Sequence, residues 1–80
     1  MRVLFFGRLR DIAGASELNV TQSFETLVQL RRWLAETHPE LAPALEQRGV
    51  RVAVDKEIVV GDAQLGGARE VAFMPPMSGG

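Results

Sequence analysis

Apolar and polar positions change rhythm several times along the chain, and each change marks an element. Arg2-Val3-Leu4-Phe5-Phe6 is continuously apolar after its first residue, and Gly7 ends it. β-Branched and aromatic side chains in such a run predict a strand over residues 2–6. Val3 and Phe5 share one face, Leu4 and Phe6 the other. Both faces are apolar, so a helix is expected over one and a loop or another protein over the other. Residues 8–14 read as a connection with a helical turn over residues 9–13. Residues 16–20 alternate, with Leu18 and Val20 inward, and predict a second strand paired with the first as a hairpin.

The period then lengthens. Thr26-Leu27-Val28-Gln29 fits a capping box, in which the hydroxyl and the amide satisfy free backbone N–H groups. The main helix is expected over residues 27–37, with Leu27, Leu30 and Leu34 as its core stripe. Arg31, Arg32 and Glu36 look outward on this reading, and Trp33, off the stripe, is either partly exposed or covered by the following segment. His38-Pro39 stops the helix, because the residue before proline avoids helical angles. A shorter helix over residues 41–48 turns Leu41 and Leu45 inward and ends at Gly49.

Alternation returns in the last third. Residues 51–54 predict a strand with Val52 and Val54 on the core face, Asp55-Lys56 a turn, and residues 58–60 a short fourth strand. Gly61-Asp62 and Gly66-Gly67 signal loops. Residues 70–74 form the last strand, with Val71 and Phe73 inward and Ala72 and Met74 on the opposite face. Pro75-Pro76 ends it, since neither proline can donate to a ladder. Residues 1–76 are thus expected to form one domain, and residues 77–80, Met77-Ser78-Gly79-Gly80, a flexible tail with nothing to pack against. Strand, strand, helix, strand, short strand, strand is an α+β order. Its known compact solution is the β-grasp, or ubiquitin-like, roll, a mixed sheet packed on one main helix.

Composition narrows the function. Eighty residues, 46% of them hydrophobic, suffice for one small core and no second domain. Nine basic residues against ten acidic leave a net charge of −1, which argues against nucleic acid as a partner. Eight of the basic residues are arginine, and Lys56 is the single lysine. Without cysteine there is no disulfide, thiolate metal site or cysteine nucleophile. No apolar run is longer than Val3-Leu4-Phe5-Phe6, far short of the roughly 20 residues of a membrane span. The first residues show no signal-peptide pattern, so no membrane is expected and the cytoplasm is the expected compartment.

Side chains for catalysis are scarce. His38 is the only histidine and stands at a helix end, where capping or solvation accounts for it. Asp55, Glu57 and Asp62 are expected to face water, Ser78 has no base near it, and Gly66-Gly67 lacks the strand, helix and Lys-Ser/Thr of a phosphate loop. The chemical interest lies at Gly79-Gly80. Two residues without side chains after a stiff Pro-Pro spacer make a thin strip of backbone that can thread a narrow channel. The functional group is then the C-terminal carboxylate of Gly80. A mixed anhydride with AMP would give that carboxylate a leaving group, and a sulfur or amine nucleophile could take the acyl group.

Val3-Leu4-Phe5-Phe6-Gly7-Arg8-Leu9-Arg10, together with the closing Glu70-Val71-Ala72-Phe73-Met74-Pro75-Pro76-Met77-Ser78-Gly79-Gly80, resembles the small-subunit family of molybdopterin synthase. Met74 departs mildly, an aromatic being commoner there. The resemblance implies a β-grasp sulfur carrier with no cofactor of its own. A separate ATP-dependent enzyme would adenylate Gly80, and a sulfur-donor enzyme would supply the sulfur of a thiocarboxylate. Met77, Ser78 and Gly79 would then thread into the large synthase subunit, in a heterotetramer, where the thiocarboxylate sulfurates a cyclic pyranopterin precursor. Phe6, Ile58, Met74, Pro75 and Pro76 are the candidate docking residues. Three alternatives stay open: a sulfur carrier for thiamin or another pathway, a ubiquitin-like modifier joined through Gly80 to lysines, and a plain interaction domain.

Overall fold

In the computed structural model, which describes residues 1–76, the first and last strands lie side by side in the middle of one sheet. The strands are β1 (Arg2–Phe5), β2 (Glu17–Asn19), β3 (Arg51–Val54), β4 (Glu57–Val59) and β5 (Glu70–Met74). The helices are α1 (Arg8–Ala13), α2 (Leu27–Thr37) and α3 (Leu41–Leu45). Across the sheet the order is β2-β1-β5-β3-β4. β1 and β5 run parallel, and the remaining pairs are antiparallel. This is the β-grasp arrangement that the element order predicts.

Register fixes the two faces. Val3 stands opposite Leu18 and Val71, Phe5 opposite Phe73, and Val52 opposite both Phe73 and Val59, so these side chains share the inner face. Leu27, Leu30 and Leu34 of α2 close that face, as their spacing predicts, and Leu9, Leu41, Leu45 and Leu65 complete the buried core. The Phe5 and Phe73 rings stack at 5.9 Å between centroids. No buried polar or charged residue interrupts this core among the described residues.

The capping box at α2 is present: Gln29 N donates to Thr26 Oγ1, and Gln29 Oε1 accepts from the N–H groups of Glu25 and Thr26. The two preceding helix donors are met from afar. Leu27 N donates to Ala63 O at 2.9 Å and Val28 N to Asp62 Oδ1 at 2.9 Å. The N-terminal turn of α2 therefore leaves no donor unpaired. His38 is the C-cap, its N–H bonded to Leu34 O.

Several boundaries and surfaces differ from expectation, each for a local reason. β1 stops at Phe5, because Gly7 at φ +56° bends the chain into α1, although Phe6 N still donates to Phe73 O. β2 is shorter than residues 16–20: beyond its ends Ser16 O accepts from Phe5 N, and Val20 exchanges two hydrogen bonds with Met1. β4 begins at Glu57, not Ile58, since Asp55 and Lys56, both with positive φ, make a two-residue hairpin turn that closes one residue earlier. Helix α3 ends at Leu45, and residues 46–50 follow in tight turns through Gln47 N to Ala44 O and Val50 N to Gln47 O. Trp33 keeps to expectation, partly exposed, with the Phe24 ring 5.8 Å and the His38 ring 6.5 Å from its own.

Three polar expectations change. Arg31 does not look outward: its guanidinium lies 5.8 Å from the Phe73 ring centroid and donates to Leu45 O at 3.2 Å. Asp62 caps α2 instead of simply facing water. Asp55 accepts from the N–H groups of Arg69 and Glu70 at 2.9 and 3.0 Å, pinning the β3–β4 turn to the start of β5.

Candidate functional site at the end of the central strand

β5 delivers the chain to its exit from the middle of the sheet, hydrogen-bonded to a neighbour on each side. Pro75 and Pro76 follow at once, half-buried, and each meets a glycine. A Cβ built on Gly7 would stand 2.8 Å from Pro75 Cγ, and one built on Gly49 would stand 3.1 Å from Pro76 Cβ. Both glycines have positive φ, +56° and +94°. The two prolines thus leave the sheet between two backbone turns that approach closely because neither carries a side chain. Gly80, Gly79, Ser78 and Met77 lie outside the described residues.

Around this root the outer face of the sheet is apolar. Leu4, Ala72, Ala53 and Ile58 stand in one cross-strand row, read from the registers of β1, β5, β3 and β4. Ala72 and Ala53 are buried, Leu4 and Met74 half-buried, and Ile58 is 55% exposed. Phe6, beyond the end of β1, is 48% exposed, and Val60, beyond the end of β4, is 93% exposed. Helix α3 contacts both α1 and α2, and buried residues of all three helices join the core on the inner side. The structure thus brings Phe6, Met74, Pro75 and Pro76 together at the exit and leaves Ile58 on the same face further out.

Charge near the exit comes from arginine. Arg8 follows Gly7, Arg48 precedes Gly49, and Arg51 stands opposite Met74 in the β3–β5 register. All three are exposed, and none forms a salt bridge or side-chain hydrogen bond with another described residue. Among the described residues no group of three His, Asp or Glu side chains could hold a metal ion. No helix there is long and apolar enough to cross a membrane. What the site offers chemically is an exit for backbone, surrounded by an apolar face and guanidinium charge.

Residues 3–80 match a family model described as the ThiS family. The chain belongs to the ThiS family. Its ThiS-family sequence is 36% identical to a molybdopterin synthase sulfur carrier subunit from Escherichia coli over 80 residues, covering 100% of this chain and 99% of the relative. Solved structures agree in fold. A putative molybdopterin converting factor subunit 1 from Pyrococcus furiosus aligns with a TM-score of 0.74 at 21% identity, covering 95% of each chain. The small archaeal modifier protein SAMP1 of Haloferax volcanii aligns with a TM-score of 0.72 at 22% identity, covering 99% of this chain and 97% of that one. For the ThiS-family member described here, sequence reasoning found the apolar exit but missed Gly7 and Gly49 as its walls. Glycines that frame a later segment carry no signal in the sequence beyond their presence.

Proposed function

We propose that this chain is the sulfur-carrier subunit of a molybdopterin synthase, acting in molybdenum cofactor biosynthesis. The observation that carries the reading is the end-to-end match at 36% identity with a curated carrier subunit, covering 99% of that relative. The geometry supports it. A strand held on both sides ends in two prolines set against glycine turns, which gives a short backbone tail a fixed origin.

In this reading the Gly80 carboxylate attacks ATP on a separate activating enzyme, forming the acyl adenylate and releasing pyrophosphate. Sulfide-level sulfur supplied by a donor enzyme attacks the acyl carbon, AMP departs and a thiocarboxylate is left. Gly79, Ser78 and Met77 carry that group into the large subunit. There the sulfur attacks cyclic pyranopterin monophosphate, and water cleaves the acyl–sulfur bond, returning the Gly80 carboxylate and leaving sulfur on the pterin toward the dithiolene that binds molybdenum. The outer-face residues Phe6, Ile58, Met74, Pro75 and Pro76 dock on the large subunit of a heterotetramer. This chain supplies the acyl terminus and the docking surface, and the catalytic side chains are the large subunit's. ATP is bound by the activating enzyme, not by this chain.

Intact mass tests the reading. Protein isolated with its activating and sulfur-donor enzymes shows an oxygen-to-sulfur exchange at its terminus. Deleting Gly80 abolishes that exchange and sulfur transfer while circular dichroism stays unchanged. Full sulfur transfer without Gly80 overturns the proposal. Conjugates joined through Gly80 to lysines of other proteins, in place of sulfur exchange, assign a modifier role instead.

A further inference from the structure

An activated acyl terminus reacts with any amine it can reach, and amines attached to the same chain are the nearest competitors. The chain contains no cysteine and a single lysine, Lys56, so its primary amines are Lys56 Nζ and the Met1 amino group. Sheet topology places both at one end. β1 runs parallel to β5 with Arg2 opposite Glu70, so Met1 lies beyond the start of β5, its amino group donating to Val20 O at 3.0 Å. Asp55 N donates to Glu70 O, which sets the Asp55-Lys56 turn at that same end. The backbone leaves β5 from the other end, through Pro75 and Pro76. Six residue steps of about 3.3 Å separate Glu70 from Pro76, roughly 20 Å, whereas four residues beyond Pro76 span at most about 14 Å, so only a fully extended tail turned back along the sheet and a fully extended lysine side chain of about 6 Å would meet.

Arginine occupies the exit. Arg8, Arg48 and Arg51 are exposed beside Gly7, Gly49 and Met74. A guanidinium keeps its proton throughout the physiological range and does not attack acyl groups, whereas the ε-amine of lysine does. We propose that the fold segregates the chain's own amines from its activated C-terminus, with Arg8, Arg48 and Arg51 providing positive charge at the exit without a nucleophile. This rests on the reading of Gly80 as an activated acyl group. The reaction avoided is self-acylation: the amine nitrogen attacks the Gly80 carbonyl, a C–N bond forms and the bond to the leaving group breaks. On the adenylate AMP departs and the amine's proton passes to solvent. The product is a dead-end lariat that can no longer accept sulfur.

The test bypasses the activating enzyme. The full chain is produced as a C-terminal thioester at Gly80 by intein cleavage, and its fate is followed by intact mass and peptide mapping at mildly alkaline pH. The folded native thioester hydrolyses without forming an internal amide. Arg8→Lys, Arg48→Lys and Arg51→Lys, checked for unchanged circular dichroism, form a concentration-independent internal amide at the new lysine, at least about tenfold faster than any in the native chain. In concentrated urea, where the segregation is lost, the native thioester also forms internal amides at Lys56 or Met1. Equal internal amide formation by the folded native chain and all three variants overturns the proposal, as does none by any variant. Because the thioester is made chemically, failure of the sulfur-carrier reading shows separately, as absence of the oxygen-to-sulfur exchange.

Discussion

Asp62 closes the start of α2 from 34 residues away in sequence, accepting from Val28 N while also holding its neighbour Ala63 N. A capping carboxylate of this kind stabilises a helix by about 1 kcal/mol. Asp62→Ala is therefore expected to lower the unfolding free energy by about that amount in urea titrations, with Asp62→Asn recovering most of it. Lys56 shows the opposite case, a side chain in a backbone conformation that favours glycine, at φ +71°. Lys56→Gly is expected to raise stability by about 1 kcal/mol, visible as a higher urea midpoint at unchanged slope. A neutral or lower midpoint would show that Lys56 is unstrained there. Neither role was legible from the chain. Gly61-Asp62 and Asp55-Lys56 announce turns, but a turn residue's long-range partner depends on which backbone donors the fold carries past it. Local chemistry that closes within four residues, as between Thr26 and Gln29, was legible in full.

At the scale of elements, α2 is amphipathic, and one of its charged residues links three parts of the fold. Arg31 extends over Phe73 of β5 and reaches the last carbonyl of α3. Its hydrogen bond and cation–π contact together are expected to contribute about 1–2 kcal/mol. Arg31→Ala should lower stability by that amount and Arg31→Lys by less than Ala. A loss no larger than for Arg32→Ala, an exposed neighbour, would deny Arg31 this role. In the core stripe, Leu34→Ala is expected to cost about 2–5 kcal/mol, since Leu34 is fully buried. The helix stripe and the strand alternation were readable because each period reports one buried face. The ends of α2, β3 and β5 were readable too, whereas ends that depend on ladder bonds and positive-φ turns were not: Gly7 shortens β1, and the Asp55-Lys56 turn shifts β4.

The whole molecule has one face closed by helices and one apolar face beside the tail exit. Charge placed on that open face should weaken docking without unfolding the domain. Ile58→Asp and Met74→Asp are each expected to reduce affinity for the large synthase subunit by at least about tenfold in calorimetric titration, with Tm changed little. Unchanged binding by either variant would remove that residue from the interface. The sequence indicated two apolar faces on β1 without indicating which one the helix covers; the packing of Leu27, Leu30 and Leu34 against Phe5 and Phe73 decides it. The central placement of β5 has a consequence for synthesis. Without β5, the β1–β2 and β3–β4 hairpins share no backbone ladder, so a nascent or prematurely terminated chain cannot assemble the sheet. The native fold thus reports that β5 has been translated, and a partner that recognises the folded surface is spared chains that end before this strand.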